Sequence, residues 1–459
     1  MMLNGTDDGR KTAELIAEKI AGAGGRAFYV GGFVRDRILG RENKDVDIEV
    51  HGISPGALKE ILGGLGRTLS FGQSFGIYTL AGSGIDVAMP RRERKTGTKH
   101  RDFEVDVDPF IGTEAAARRR DFTINALMED ILTGEITDHF GGLGDLKAGV
   151  IRHVDDETFA EDPLRVLRAA MFAARFGFAV APETTELCRG MDLSDLSKER
   201  VEGELRKVLL GSEKPSVFFE VLREMDQLDV WFPELKALIG VEQDPVYHPE
   251  GDVWVHTMEV VDRAAKYRDR VSDPYSFMLL ALTHDLGKTV TTEIVKGRIH
   301  AYDHENRGIP IAEAFIRRIS GEKDVMRYVK NMLPLHMRPN MHAYSRPALK
   351  KTNRLFDEAA APEDLVWFSM ADRPLMAGDE PFTGDSGFLF ERLEKYREIM
   401  ARPHVTGKDL INAGLTPDES FSEILAYAHK LRLAGIDRDS ALRQTLAYAR
   451  KRVKGDGSF

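Results

Sequence analysis

The sequence predicts a mixed α/β head followed by an all-helical remainder that ends in a helical tail, and the changing texture of the chain predicts it. Residues 27 to 140 alternate short apolar runs, AFYVGG, VDIEV, FGIYTL and IDVAM, with helix-like stretches and glycine turns. From about 160 the strand signals fade, and apolar residues recur at helical spacing in DPLRVLRAAMFAARFGF and ERVEGELRKVLL. Near Pro245 a further helical segment begins that holds most of the histidines. Near 380 another begins, where PHVTGKDLINAGLTPDESFSEILAYAHKL sets turn and cap signals ahead of a helix. These changes divide the chain into 1–150, 151–243, 244–380 and 381–459.

Composition narrows the class. A chain of 459 residues exceeds one ordinary core, and 42% hydrophobic with 30% charged residues is the balance of a globular protein. No apolar run is long enough to span a bilayer, and the polar start MMLNGTDDGRKTAE lacks the apolar core of a signal peptide. A single cysteine, Cys188, excludes an internal disulfide framework and fits a reducing cytoplasm. The net charge of -10 argues against indiscriminate coating of nucleic acid, so any nucleic-acid contact must come from a local basic patch.

The head contains the parts of a phosphoryl-transfer site, in the stretch YVGGFVRDRILGRENKDVDIEV (29–50). Gly31 and Gly32 allow close backbone approach to a phosphate, and the amides opening the next helix favour an anion. Arg35 in that helix is placed to hold a triphosphate oxygen. Alternate residues of a strand point to one side, so DVD aims Asp45 and Asp47 together. Two such carboxylates suit Mg²⁺ shared with substrate phosphates.

The order of these elements resembles the signature of the nucleotidyltransferase superfamily, in the branch of class II CCA-adding tRNA nucleotidyltransferases and bacterial poly(A) polymerases. RRRDFTINALMED (118–130), DHFGGLGDLKAGVIRHV (138–154), EDPLRVLRAAMFAARFGF (161–178) and ERVEGEL (199–205) follow in the family's order. The resemblance implies a nucleotidyltransferase head and a helical neck. It implies nucleotide contact by Arg120 and Asp121, which open a helix-like run, and a third carboxylate, Asp86, on the strand GIDVAM. Asp162, Arg165 and Arg168 recur at helical spacing and so share a face. Asp162 and Arg165 offer acceptors and donors to a base edge, matching the family's base-selecting pair. The basic-to-acidic stretch RRERKTGTKHRDFEVDVD (91–108) resembles the family's mobile loop and is the best local candidate for phosphate contact.

VWVHTMEVVDRAA and LLALTHDLGKT resemble the HD phosphohydrolase superfamily. The resemblance implies metal ligation by His256, His284 and Asp285, with Asp372 completing the set and His304 and His336 serving a second metal. Imidazole with carboxylate suits Mn²⁺, Fe²⁺, Ni²⁺ or Zn²⁺, and the implied second activity is that of a phosphatase or phosphodiesterase. The tail segment PHVTGKDLINAGLTPDESFSEIL is similar to the RNA-holding tail of family members, and is equally a capped helical hairpin.

The expected activity is template-independent addition of CCA to the 3′ end of tRNA from CTP and ATP. The alternatives are an A-adding enzyme or poly(A) polymerase, or an HD phosphohydrolase whose head only senses nucleotide; the intact Asp45 and Asp47 argue against the last. One residue departs from the family pattern. Met171 stands where many relatives have an arginine one turn after the position of Arg168, and either that contact is missing or Arg175 supplies it.

Overall fold

The strands of the head are β1 (Arg26–Val30), β2 (Val46–His51), β3 (Thr68–Ser70), β4 (Ile77–Leu80), β5 (Ile85–Ala88), β6 (Arg91–Lys95), β7 (Phe103–Val107), β8 (Met128–Asp130) and β9 (Ile136–Thr137). They are seen in a computed structural model that describes residues 5–43, 45–66, 68–70, 77–80, 84–95, 103–373 and 385–455. Seven of them form one sheet in the order β3-β4-β5-β2-β1-β8-β9. β2 and β5 run parallel, with Asp47 opposite Asp86 and Glu49 opposite Ala88. The other pairings of this sheet are antiparallel.

Period-two alternation gives the sheet two distinct faces. Ala27, Tyr29, Ile48, Val50, Ile85 and Val87 share one. The helix Gly5–Gly22 lies there, its buried Ala13, Ile16, Ala17 and Ile20 forming a stripe at helical spacing. Phe28 and Val30 point the other way and pack with Ala117, Ala126 and Met128. Asp47, Glu49, Asp86 and Ala88 lie on this second face, so the sheet register alone gathers the acidic residues on one side.

Two local readings are corrected. The run after Arg120 is not a helix but a turn and a short 3-10 segment, Thr123–Asn125, leading into β8. The backbone there bonds across the chain instead of along it: Phe122 bridges His153, and Thr123 N donates to Arg152 O. The stretch read as a loop at 91–108 contains an antiparallel ribbon, β6 with β7, pairing Arg91 with Val107 and Lys95 with Phe103. Its remaining residues, 96–102, lie outside the described residues.

The chain divides into two compact units, Met1–Val208 with Val217–Trp231, and Leu209–Ser216 with Phe232–Phe459. In the first, the sheet is followed by helices that include Leu164–Phe176 and Pro182–Arg189. The second is built around Pro274–Thr283, apolar on all sides and buried throughout, as a helix at the centre of a bundle must be. Its C-terminal part is a capped hairpin of helices. A reciprocal cap between Thr406 and Asp409 opens Gly407–Asn412, and Phe421–Leu433 and Arg438–Gly455 bury Ile424, Ala428, Ala441 and Ala449 together. No helix among the described residues is long and apolar enough to cross a membrane.

Candidate active sites

The glycine turn sits at the end of β1. Gly31 has φ +63, a conformation glycine adopts without strain, and a Cβ there would come within 3.3 Å of Arg120 Nη1. Asp47 and Asp86 stand side by side across β2 and β5, and Thr79 Oγ1 donates to Asp86 Oδ1 at 2.6 Å. Asp45 lies just before β2, exposed. Burial raises the pKa of Asp47; Arg120 opposes the rise, and Asp86 and Asp45 add to it. Two carboxylates that raise the proton affinity of a third form with it an all-oxygen donor set of the kind a hard divalent cation relieves.

Along the same sheet face opens a cavity of about 900 Å³ lined by Glu49, Ala88, Arg91, Arg119, Arg120, Glu161, Asp162, Arg165 and Arg200 among others. Its five arginines outnumber its three acids, so the chamber favours an anion despite the chain's negative charge. Arg120 Nη2 donates to the buried Glu49 at 2.9 Å, and Glu49 also bonds His51 Nε2 at 3.0 Å. Asp162 is not on the helix face expected for it. It precedes Leu164–Phe176, accepts from Leu164 N, and receives Arg200 Nη2 on both oxygens at 2.9 and 2.8 Å. Arg165 lines the cavity, with donors to the carbonyls of Thr158 and Arg119.

Three expected nucleotide contacts take other places. Arg35 is buried at 4% exposure, its Nε and Nη2 on Asp36 and its Nη1 on Asn125, and Phe172 and Phe176 cover its guanidinium. Asp121 is buried and accepts from Phe122 N, Asn125 and Arg168. Arg168 reaches Asp121 at 2.7 Å and so turns away from the cavity lining. The cause is common to all three: a charge taken from water must be paired, and Arg35 pairs with Asp36 while Arg168 pairs with Asp121. Met171 is buried, and Arg175 is exposed beside Phe176, so neither lines the cavity. Sequence reasoning did not single out Arg119, Arg200 or Glu49. The signals were present in RRRD, in ERVEGEL and in the continued alternation of DVDIEV.

In the second unit, four imidazoles and two carboxylates converge. His256 comes from the helix Val253–Ala265, His284 and Asp285 from the end of Pro274–Thr283, and His304 from the start of His304–Arg307. His336 precedes Met337–Ser345, and Asp372 ends Pro362–Asp372. Among the described residues, ligand atoms of His256, His284 and Asp372 lie within 4.8 Å of one another, as do those of Asp285, His304 and His336. Asp285 links the groups, with Oδ2 3.2 Å from His284 Nε2 and Oδ1 3.3 Å from His304 Nε2.

The outer nitrogens decide what the inner ones can do. Nδ1 of His284, His304 and His336 bonds the carbonyls of Ala281, Ala301 and Leu333, and Nδ1 of His256 bonds Glu250 at 2.6 Å. Each Nδ1 thus carries the proton, which leaves the Nε2 lone pairs facing one another. Nε2 atoms that face one another and two carboxylates suit a shared positive charge, a proton or a metal ion. Burial lowers the proton affinity of His284, but Asp285 and Asp372 outweigh it and push its pKa up to about 10, whereas burial pulls that of His336 down to about 4. Both carboxylates therefore demand positive charge at their centre. The buried His/Asp clusters have the donor chemistry of a transition-metal site.

Residues 27–152 match the model of the poly A polymerase head domain, and residues 177–239 match that of the "probable RNA and SrmB- binding site of polymerase A". The multifunctional CCA protein of Nitrosococcus oceani is 36% identical over 84% of this chain and 93% of its own. That of Xanthomonas campestris is 36% identical over 91% and 100%. The chain belongs to the class II CCA-adding enzyme and poly(A) polymerase family. It is a nucleotidyltransferase by that membership. Its fold is that of the Thermotoga maritima CCA-adding enzyme complexed with tRNA (TM-score 0.65, 21% identity, covering 96% of this chain and 95% of that one). A CCA-adding enzyme complexed with ATP matches at TM-score 0.67 and 21% identity, covering 98% and 95%.

The second cluster depends on a close backbone approach. A Cβ on Gly287 would fall 2.0 Å from His304 O and 2.7 Å from Gly308 N. Gly287→Ala must therefore displace the segment carrying His304. It is expected to weaken metal affinity roughly tenfold, measured by elemental analysis after dialysis against graded Mn²⁺ or Zn²⁺. Wild-type affinity in the variant would refute the ligand assignment to His304.

Proposed function

We propose that the protein is a template-independent RNA nucleotidyltransferase that completes CCA at the 3′ end of tRNA from CTP and ATP, and that its second unit is a metal-dependent phosphohydrolase. The observation that carries the first part is the arginine-lined cavity continuous with the sheet face of Asp47 and Asp86. Multifunctional CCA relatives at 36% identity support it. Solved relatives whose titles name tRNA, ATP and CTP support the choice of partners.

In this reading the cavity arginines hold the triphosphate and Gly31 lets it approach the backbone. The RNA 3′-hydroxyl attacks the α-phosphate, and pyrophosphate leaves. Asp45, Asp47 and Asp86 would hold Mg²⁺, which when bound supplies the charge that stabilises the attacking and leaving oxygens. Glu49 is a support for Arg120. Arg35, Asp121 and Arg168 are supports of the glycine turn and the neck. His256, His284 and Asp372 would hold one transition metal and Asp285, His304 and His336 a second; such a metal, when bound, activates water at neutral pH. We retain 1–150 as catalytic head, 151–243 as neck, 244–380 as the HD unit and 381–459 as an RNA-holding tail. We place the protein in the cytoplasm, which the single buried Cys188 supports.

The test offers tRNAs ending before CCA, in C and in CC, with CTP alone, ATP alone and both. Stepwise completion to CCA is expected, and Asp47→Ala should cut it by roughly a thousandfold, the scale on which loss of charge stabilisation acts. Addition of A alone or of long A tails would overturn the CCA reading.

Choice of base falls to groups that reach a base edge. Arg165 has five N–H donors, of which two bond carbonyls, and it lines the cavity where the others would meet cytosine or adenine. Asp162, held by Arg200, presents a carboxylate to an exocyclic amine. Arg165→Ala is expected to relax discrimination against UTP and GTP by roughly tenfold in kcat/KM ratios, the worth of one good base contact. Uniform slowing across all four nucleotides would assign Arg165 to the support of Thr158 and Arg119 instead.

A further inference from the structure

The cluster of imidazoles and carboxylates in the second unit is nearly closed to water, so a cation needs a route to reach it. The side chains of His284, His336 and Asp285 are 0 to 2% exposed, and Asp372, the most open of the set, is 10%. A third group of metal-type donors stands beside it. Among the described residues, ligand atoms of His248, Glu250 and His256 lie within 4.8 Å of one another. His256 belongs to both groups: its Nε2 lies 3.2 Å from Asp372 Oδ1, and its Nδ1 lies 2.6 Å from Glu250 Oε1. Side-chain exposure falls from 22% at His248 to 7% at Glu250 and 1% at His256, so the three donors form a gradient from the surface to the cluster.

One loop builds this gradient. Residues 241–252 leave and return at the same point, since Val253 N donates to Val241 O at 3.0 Å, and Gln243 Nε2 donates across the loop to Gly251 O at 3.3 Å. On its inner side Lys288 Nζ donates to Gln243 Oε1 at 2.7 Å and lies 2.7 Å from Asp285 Oδ2, which fastens the loop to the cluster. On its outer side Asp244 accepts from the N–H groups of Val246, Tyr247 and His248 and pairs with Arg298 at 3.0 Å. That turn leaves Val246 and Tyr247 exposed and His248 half-buried. Glu250 Oε1 then meets both imidazoles, Nδ1 of His248 at 3.0 Å and Nδ1 of His256 at 2.6 Å, and the two rings stand edge-on with centroids 4.8 Å apart.

A divalent cation that leaves water must exchange each departing water for a donor, because an unpaired charge in a buried place is costly. A single step from solvent to ligands that are almost fully buried offers no such exchange. We propose that His248 and Glu250 are a receiving site for a divalent transition metal ion, which passes from them by way of His256 to the buried cluster. This rests on the reading of that cluster as a metal centre. Imidazole with carboxylate suits the same ions in both places, and an entry path is part of what a buried metal site requires. If His248 only helped to orient His256, its loss would change how tightly the metal is held. A receiving site instead sets how fast the metal moves. A path serves both directions, so its loss slows uptake and release together and leaves the affinity as it was.

The experiment strips the full chain of metal by dialysis against a chelator, mixes it with Co²⁺ and follows the visible absorption of the bound ion. His248→Phe keeps a ring against His256 but offers no donor. It is expected to take up Co²⁺ about tenfold more slowly, the scale on which a group next to a metal's ligands acts, and to release it to a chelator more slowly by the same factor. Final Co²⁺ content and final spectrum should match wild type. His248→Asp, which returns a donor, should recover both rates. Uptake by His248→Phe at the wild-type rate, no recovery in His248→Asp, or a weaker affinity in place of a slower rate overturns the receiving site while leaving the metal centre standing. Failure of wild type to bind Co²⁺ would overturn the reading of the cluster as a metal centre, and the receiving site with it.

Discussion

Asp121 is buried where water cannot solvate its charge, and the first unit is arranged around the groups that compensate it. Its Oδ1 takes the N–H of Phe122 and the amide of Asn125, and its Oδ2 takes Arg168. Burial alone would raise its pKa, but Arg168, Asn125 and Arg165 bring it below the usual carboxylate range. Asn125 in turn accepts from Arg35, whose guanidinium lies under Gly32 and is covered by Phe172 and Phe176. One chain of buried bonds therefore runs from the glycine turn, through the turn after Arg120, to the helix Leu164–Phe176. Cutting it at one partner would strand a charge, which costs about 3–5 kcal/mol in buried pairs. The walls of the cavity are thus joined behind it, while its own arginines bond acids and carbonyls at its rim.

The residues facing the cavity obey a different rule. Most are half-buried, and several arginines are paired with acids. Arg120 on Glu49, Arg119 on Glu161 and Arg200 on Asp162 are all such pairs. Partial solvation keeps Arg119–Glu161 and Arg200–Asp162 weak, whereas Glu49 is buried and holds Arg120 more firmly; in each the acid keeps the arginine extended. A cavity lined with arginines alone would repel itself, and one lined with matched buried pairs would not open to a triphosphate.

Much of this was legible in the sequence because strand periodicity is simple. Alternation in DVDIEV put Asp47 and Glu49 on one face, and only a parallel neighbour was needed to add Asp86. The histidine cluster was legible because the HD pair, His256 upstream and the following GK together resemble the HD superfamily. What sequence could not separate was contact from support. Arg35, Asp121 and Arg168 have the residue types that touch phosphates and bases, but types do not tell which way a side chain turns. That is set by burial from segments distant in the chain: Asn125 lies 90 positions from Arg35, and Asp121 47 from Arg168. The helix expected after Arg120 was misread for the same reason, since His153 and Arg152 take its backbone into a cross-chain bridge.

In the proposed reading the two clusters would hold a cation in opposite surroundings. Asp45 and Asp86 are exposed and Asp47 is partly so, which leaves coordination positions for substrate oxygens. Oxygen-only donors of this kind exchange readily and favour Mg²⁺. His284, His336 and Asp285 are 0 to 2% exposed, and the two imidazoles are oriented by the carbonyls of Ala281 and Leu333, three residues before each. Imidazole donors fixed in this way favour softer metals and retain them. The affinity order of transition metals would pull such ions to either cluster if donors were alike. Donor chemistry and burial, not position in the chain, keep the two apart.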